Sequence, residues 1–217
     1  MIRKKEFGIS LPLQTIETLN SLSAYSDFVE LKLRKEVQMY NDLTEKHKAG
    51  NFFTRPKEIY GKDFVNLSRM ALLNSIYAFT EYMLVETCLN HASFVGNEKE
   101  KFKDLDLEGN NDIYKAQYYL SSVDASHFEQ YKTEFVLLNK CRLVRNKFAH
   151  NGGKAFNFES TIKYLENSLG KDSIKIEFDF IILGEKFCDG IIENNIKLSN
   201  GLADWAYGLE VAGPVMK

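Results

Sequence analysis

The sequence predicts a mainly α-helical bundle with a small β-hairpin or strand near residues 160–180. Three observations carry that prediction. Apolar residues recur at three- and four-residue steps through most of the first 150 positions. Ser173–Phe180 switches to strict polar–apolar alternation. No internal repeat or low-complexity tract suggests a solenoid or a disordered chain.

Taken in order, Leu13 to Lys48 reads as helix, with Leu13, Ile16, Leu19, Phe28, Leu31, Tyr40 and Leu43 apolar among charged residues. A break near Ser23–Asp27 would divide it in two, and the pattern leaves both forms open. Gly50 and Pro56 bracket a loop. Asp63 is placed to cap the most apolar helix, which runs to about Asn90. Its apolar surface exceeds one stripe, as expected of a helix in the middle of a bundle or against a partner. Residues 96–112 mix charges of both signs and read as an exposed connection. A short helix over Asp112–Ser122 and a longer one from Asp124–Ser126 to His150 follow, the latter stopped by Asn151-Gly152-Gly153. Ile162–Leu165 is a candidate hairpin partner for the alternating run, although Ser160–Leu169 also suits a helix. A last helix is expected from Ile182 to about Asn200, with a loose end after Gly201. The expected organisation is an N-terminal helical segment (1–50) packing on a helical domain (51–205), with a tail (206–217).

Composition narrows the function. The 217 residues are 44% hydrophobic with a net charge of −2, enough apolar content for a core and too little charge for disorder. No apolar run approaches the roughly 18 residues that would span a bilayer, and the basic N-terminus lacks a signal-peptide core. Cys88, Cys141 and Cys188 are far apart and odd in number, which argues against disulfides or a zinc ribbon and for a reducing, cytoplasmic setting. Near-neutral charge argues against a bulk grip on long nucleic acid, so any such contact would have to be local.

The segment Asn139–Gly153 is the informative one. On a helical wheel Leu137, Cys141, Val144 and Phe148 fall within about 60° and form the buried stripe. Arg142, Asn146 and His150 follow at four-residue steps on the opposite side, with Arg145 on the flank. Lys132, Lys140, Arg142, Arg145, Lys147 and Lys154 face only Glu134 between residues 132 and 154. Guanidinium groups match phosphate oxygens, and an imidazole exchanges protons near neutrality. Those are parts for phosphodiester cleavage. No acidic or His/Cys cluster suggests a metal site or a cofactor, so the nucleophile would come from the substrate, as RNA supplies with its 2′-hydroxyl.

Arg145-Asn146-Lys147-Phe148-Ala149-His150 resembles the signature of HEPN-domain proteins, an arginine, a polar residue and a spaced histidine at the end of a bundle helix. An arginine-asparagine pair with a histidine at this fixed spacing arises by chance on the order of 1% of the time in such a composition. The likeness covers the motif and the helical layout of residues 60–200. It implies a helical, dimeric, metal-independent endoribonuclease of the kind found in toxin–antitoxin and phage-defence systems. It also implies an RNA substrate, a homodimer with a composite site and an inhibitor encoded elsewhere. His150 would then be the general acid or base, Arg145 the phosphate ligand and Asn146 an orienting amide. Arg142, Lys147 and Lys154 would be secondary substrate contacts. A catalytically silent HEPN module binding RNA, nucleotide or protein fits the same residues.

A plainer reading stands beside this one. His150 suits a helix C-terminus, Asn-Gly-Gly is a ready C-cap, and the arginines have Glu134 as a potential partner. His47, His91 and His127 read as ordinary surface or capping residues, and Asn66-Leu67-Ser68 as a sequon without a secretory context.

Overall fold

The computed structural model describes residues 10–47, 63–94, 102 and 111–212. The fold is mainly α-helical with one two-stranded antiparallel hairpin. The elements are α1 (Ser10–His47), α2 (Phe64–Phe94), α3 (Asp112–Val123), α4 (Ala125–Phe128), a 3-10 turn (Glu129–Tyr131), α5 (Lys132–Asn151), α6 (Glu159–Leu169), β1 (Ile174–Glu177), β2 (Phe180–Leu183) and α7 (Phe187–Ala212). No helix among the described residues is long and apolar enough to cross a membrane. The loop expected at Gly50–Pro56 lies outside the described residues, as does most of the 96–112 connection. Phe102, within that connection, is buried rather than exposed.

By its contacts the chain groups into two compact units: Met1–Leu19, Ile76–Arg142 and Glu193–Lys217 form one, Asn20–Ser75 and Leu143–Ile192 the other. The first is cored by Met83, Leu84, Leu120, Phe135, Leu202 and Trp205 among others. One pair of its buried polar side chains is joined across two helices, as a low-dielectric interior favours. Asn195 donates to Thr80 Oγ1 at 2.8 Å, and that hydroxyl donates onward to the Ile76 carbonyl at 2.9 Å. Asn111 caps α3 by accepting from the Ile113 amide at 3.1 Å.

The helix expected from Asp124 to His150 is divided. Asp124 ends α3, caps α4 through the His127 amide, and the 3-10 turn intervenes before α5. Tertiary contacts explain the break: a His127 ring nitrogen lies 2.9 Å from the Gly201 carbonyl oxygen, and Tyr131 occupies the space a side chain at 201 would need. The same glycine explains why α7 continues to Ala212 rather than ending near Asn200. Gly201 is a point of close packing inside the helix, not its terminus. Leu202, Trp205 and Ala206 beyond it are buried.

The second unit holds the hairpin. β1 pairs with β2 from Ile174↔Leu183 to Glu177↔Phe180, joined by the two residues Phe178 and Asp179 at φ 49 and 65. Positive φ at both loop positions is the two-residue hairpin geometry that follows strand twist. Ile162–Leu165 is therefore not a strand. It lies in α6, where Thr161, Ile162 and Leu165 face inward at helical spacing and Gly170, at φ 101, ends the helix. Ile182 belongs to β2, and α7 begins only at Phe187. α1 is one unbroken helix.

Arg69 of α2 anchors this unit. Its guanidinium meets both oxygens of the buried Glu30 of α1, at 2.6 and 2.8 Å, and donates to the Leu183 carbonyl at 2.6 Å. Removing one member strands a buried charge. Arg69→Leu should lose about 3–5 kcal/mol of unfolding free energy in urea titrations, and the Glu30→Leu/Arg69→Leu double variant distinctly less. Equal losses would show that packing, not the pair, carries the effect.

In the first unit His91 is buried, with Nδ1 2.9 Å from the Tyr119 hydroxyl and its ring 4.9 Å from Trp205. It is not the surface residue expected. Burial pushes its pKa down from 6.5 to about 4. The folded state thus favours the neutral ring, so this contribution is complete above pH 6.5 and is lost as pH falls towards 4. Urea midpoints measured across that range should fall less steeply for His91→Gln than for the parent chain; identical slopes would contradict the assignment.

Candidate functional site

The site is built on the last turns of α5. Asn151 is the final helical residue, and Gly152 and Gly153 follow at φ 58 and 81. The Gly153 amide reaches back to the Lys147 carbonyl at 3.0 Å, a backbone bond that closes the helix end across both glycines. Positive φ favours glycine, and at 153 space demands it too, since a Cβ there would sit 2.8 Å from the Phe148 ring. Lys147 closes the following loop, donating from Nζ to the Phe156 carbonyl at 2.9 Å with the Phe158 ring 5.3 Å away.

Beyond the glycines the chain is stitched to the hairpin. The Ile181 amide donates to the Gly153 carbonyl at 2.9 Å, and the Ala155 amide to the Asp179 carbonyl at 2.8 Å. Lys154 bridges to Phe180 in antiparallel sense. The rest of this strand edge is satisfied by α2 side chains. Asn66 donates to the Ile181 carbonyl at 3.0 Å and accepts from the Leu183 amide at 2.9 Å, while Arg69 takes the Leu183 carbonyl. An amide side chain thereby occupies the place of a neighbouring strand. Asn66 is thus a structural clamp.

Between these elements lies a cleft of about 880 Å³. Asn66, Arg69 and Met70 line it from α2, Arg145, Phe148, Ala149 and Gly152 from the α5 terminus, and Lys175, Glu177, Phe178 and Phe180 from the hairpin. Its charges are mixed: Arg69 is committed to Glu30, and Lys175 pairs with Glu177 at 3.1 Å in an exposed ion pair. Exposed pairs of this kind are worth about 0–1 kcal/mol.

The residues singled out from the sequence fall in different places. Arg145 is half-buried and lines the cleft. Asn146 and His150 do not line it; on an ideal helix they stand about 100° and 140° around from Arg145. His150 is exposed at the helix end and Asn146 half-buried. Lys147 is held in the loop contact above, and Lys154 is exposed on the bridge. Arg142 belongs to the other unit, half-buried, with a buried Nε that has no hydrogen-bond partner among the described residues. Glu134, the acid suggested for the arginines, instead pairs with Lys197. Of the wheel's buried stripe, Leu137, Cys141 and Val144 are buried, whereas Phe148 is half-buried beside the cleft. His127 is a packing residue, and the His47 side chain lies outside the described set.

Sequence reasoning missed Arg69, Lys175, Phe178 and Phe180. Arg69 carried a usable signal, an arginine inside the most apolar stretch of the chain, where an unpaired charge is not tolerated. The hairpin residues carried none, because their approach to α5 depends on backbone bonds across distant positions.

Comparison with protein-family models, curated proteins and solved structures finds no match to this chain. The functional reading therefore rests on the motif and on the geometry around it.

The glycine requirement is open to test. Gly153→Ala combines a positive φ with a collision on Phe148, and should destabilise the chain by about 1–3 kcal/mol in denaturant titrations. Gly152→Ala, at positive φ but with open space around it, should cost less than Gly153→Ala.

Proposed function

We propose that this chain is a HEPN-like, metal-independent endoribonuclease acting as a homodimer, and that Arg145, Asn146 and His150 form its reactive set. The observation that carries the reading is the Arg-Asn-x3-His run at a rigidly capped helix terminus, with its arginine on a cleft. The reaction is transesterification. The RNA 2′-oxygen attacks phosphorus and loses its proton to a base, the bond to the 5′-oxygen breaks, and that oxygen gains a proton from an acid. The products are a 2′,3′-cyclic phosphate and a 5′-hydroxyl. Arg145 stabilises charge on the phosphorane oxygens, and His150 serves as one of the two proton-transfer groups. The motif supplies one histidine per chain, so a second copy provides the other across a two-fold axis. Such a nuclease suits a toxin or abortive-infection effector restrained by a separately encoded inhibitor.

A second reading has its own support. His150 is not among the residues lining the cleft that takes Arg145, which favours a HEPN-like module that holds an RNA or nucleotide phosphate without turnover. Labelled RNA incubated with the purified protein in EDTA separates the two. The ribonuclease reading expects cyclic-phosphate products, with His150→Ala and Arg145→Ala each reducing the rate about 10²–10⁴-fold. Intact RNA with Arg145-dependent binding would establish the module instead.

A further inference from the structure

Resting on the ribonucleotide reading of this site, we propose that Phe178 and Phe156 form a stacking platform for unpaired bases beside the phosphate held at Arg145. Among the described residues these are the two most exposed large hydrophobic side chains, at 85% and 77%. Single exposed apolar side chains are ordinary. These two are not scattered, however. The Ala155–Asp179 hydrogen bond and the Lys154–Phe180 bridge leave each phenylalanine one residue from a bonded position, at the end of the loop that follows the motif helix.

Phe178 is also held against its own backbone preference. It opens the two-residue hairpin loop at φ 49, where asparagine or glycine is favoured and a bulky side chain is strained. Neither burial nor turn chemistry favours a large ring at that position. Face stacking does, because every base offers a π face to an aromatic ring. The surroundings favour nucleic acid over a purely apolar partner. Phe178 and Phe180 line the cleft together with Arg145 and Lys175, and the exposed Lys154 bridges to Phe180. Rings interleaved with cations suit a strand whose bases and phosphates alternate. A duplex keeps its bases stacked on one another and cannot present them in this way.

The test uses the full chain and a fluorescent, 2′-O-methylated single-stranded oligonucleotide, which binds but lacks the attacking hydroxyl. Phe178→Asn retains a residue suited to the loop while removing the ring, and Phe156→Ser removes the other. Each should raise the dissociation constant by about tenfold in anisotropy titrations, Phe178→Trp should stay within about twofold of the parent, and a duplex of the same sequence should bind about tenfold more weakly. Unchanged affinity in both ring variants, with binding still lost in Arg145→Ala, overturns the platform and leaves the phosphate site standing. Indifference to Arg145→Ala as well overturns the reading on which it rests. A ring variant that alters sedimenting mass but not RNA affinity marks the platform as a protein contact and overturns the inference.

Discussion

The outer edge of β2 is the constraint on which the site depends. A short two-stranded hairpin is marginal by itself, and its outer strand presents amides and carbonyls that must find partners. Here the outward groups of Ile181 and Leu183 are all taken: one by the Gly153 carbonyl, two by the Asn66 side chain and one by the Arg69 guanidinium. Three segments far apart in sequence are thereby joined along four residues of strand. Because Arg69 also grips the buried Glu30, the joint extends to α1.

This joint turns a helix end into a defined site. Left alone, the last turn of a helix frays and its carbonyls look to solvent. In α5 the Gly153–Lys147 bond, the Lys147–Phe156 contact and the stitching to β2 fix the chain on both sides of His150. Any chemistry at that terminus gains from this rigidity, since proton transfer and phosphate binding depend on placement within a fraction of an ångström. The same joint brings the aromatic hairpin loop to the motif. One set of backbone bonds thus holds the elements that bring Arg145 and Phe178 to the same cleft.

Much of the helical layout was legible in the residue pattern, because burial of a helix face writes itself into three- and four-residue steps. α1, α2 and α3 lie close to where periodicity places them, and Asn151-Gly152-Gly153 ends α5 through positive φ, as its composition suggests. The hairpin was half legible. Alternation located β1, but the turn at Phe178-Asp179 lacks the glycine or asparagine that ordinarily marks one, so β2 was absorbed into the next helix. Gly201 misled in the opposite sense, being a packing glycine where a terminus was expected. At the candidate site, Arg145 and its neighbours were visible as a motif. The cleft that Arg145 lines was not, since it is assembled from side chains of α2 and the hairpin with no local signature of their own.

The most direct measurement is photocrosslinking of 4-thiouridine-substituted RNA to the intact protein, followed by mass spectrometry of the linked peptides. A site built on the α5 terminus predicts crosslinks concentrated in residues 145–156 and 174–183, and suppressed by competing unlabelled RNA. Crosslinks confined to other helices, or none above an irradiated control protein, would contradict the assignment of this cleft to RNA.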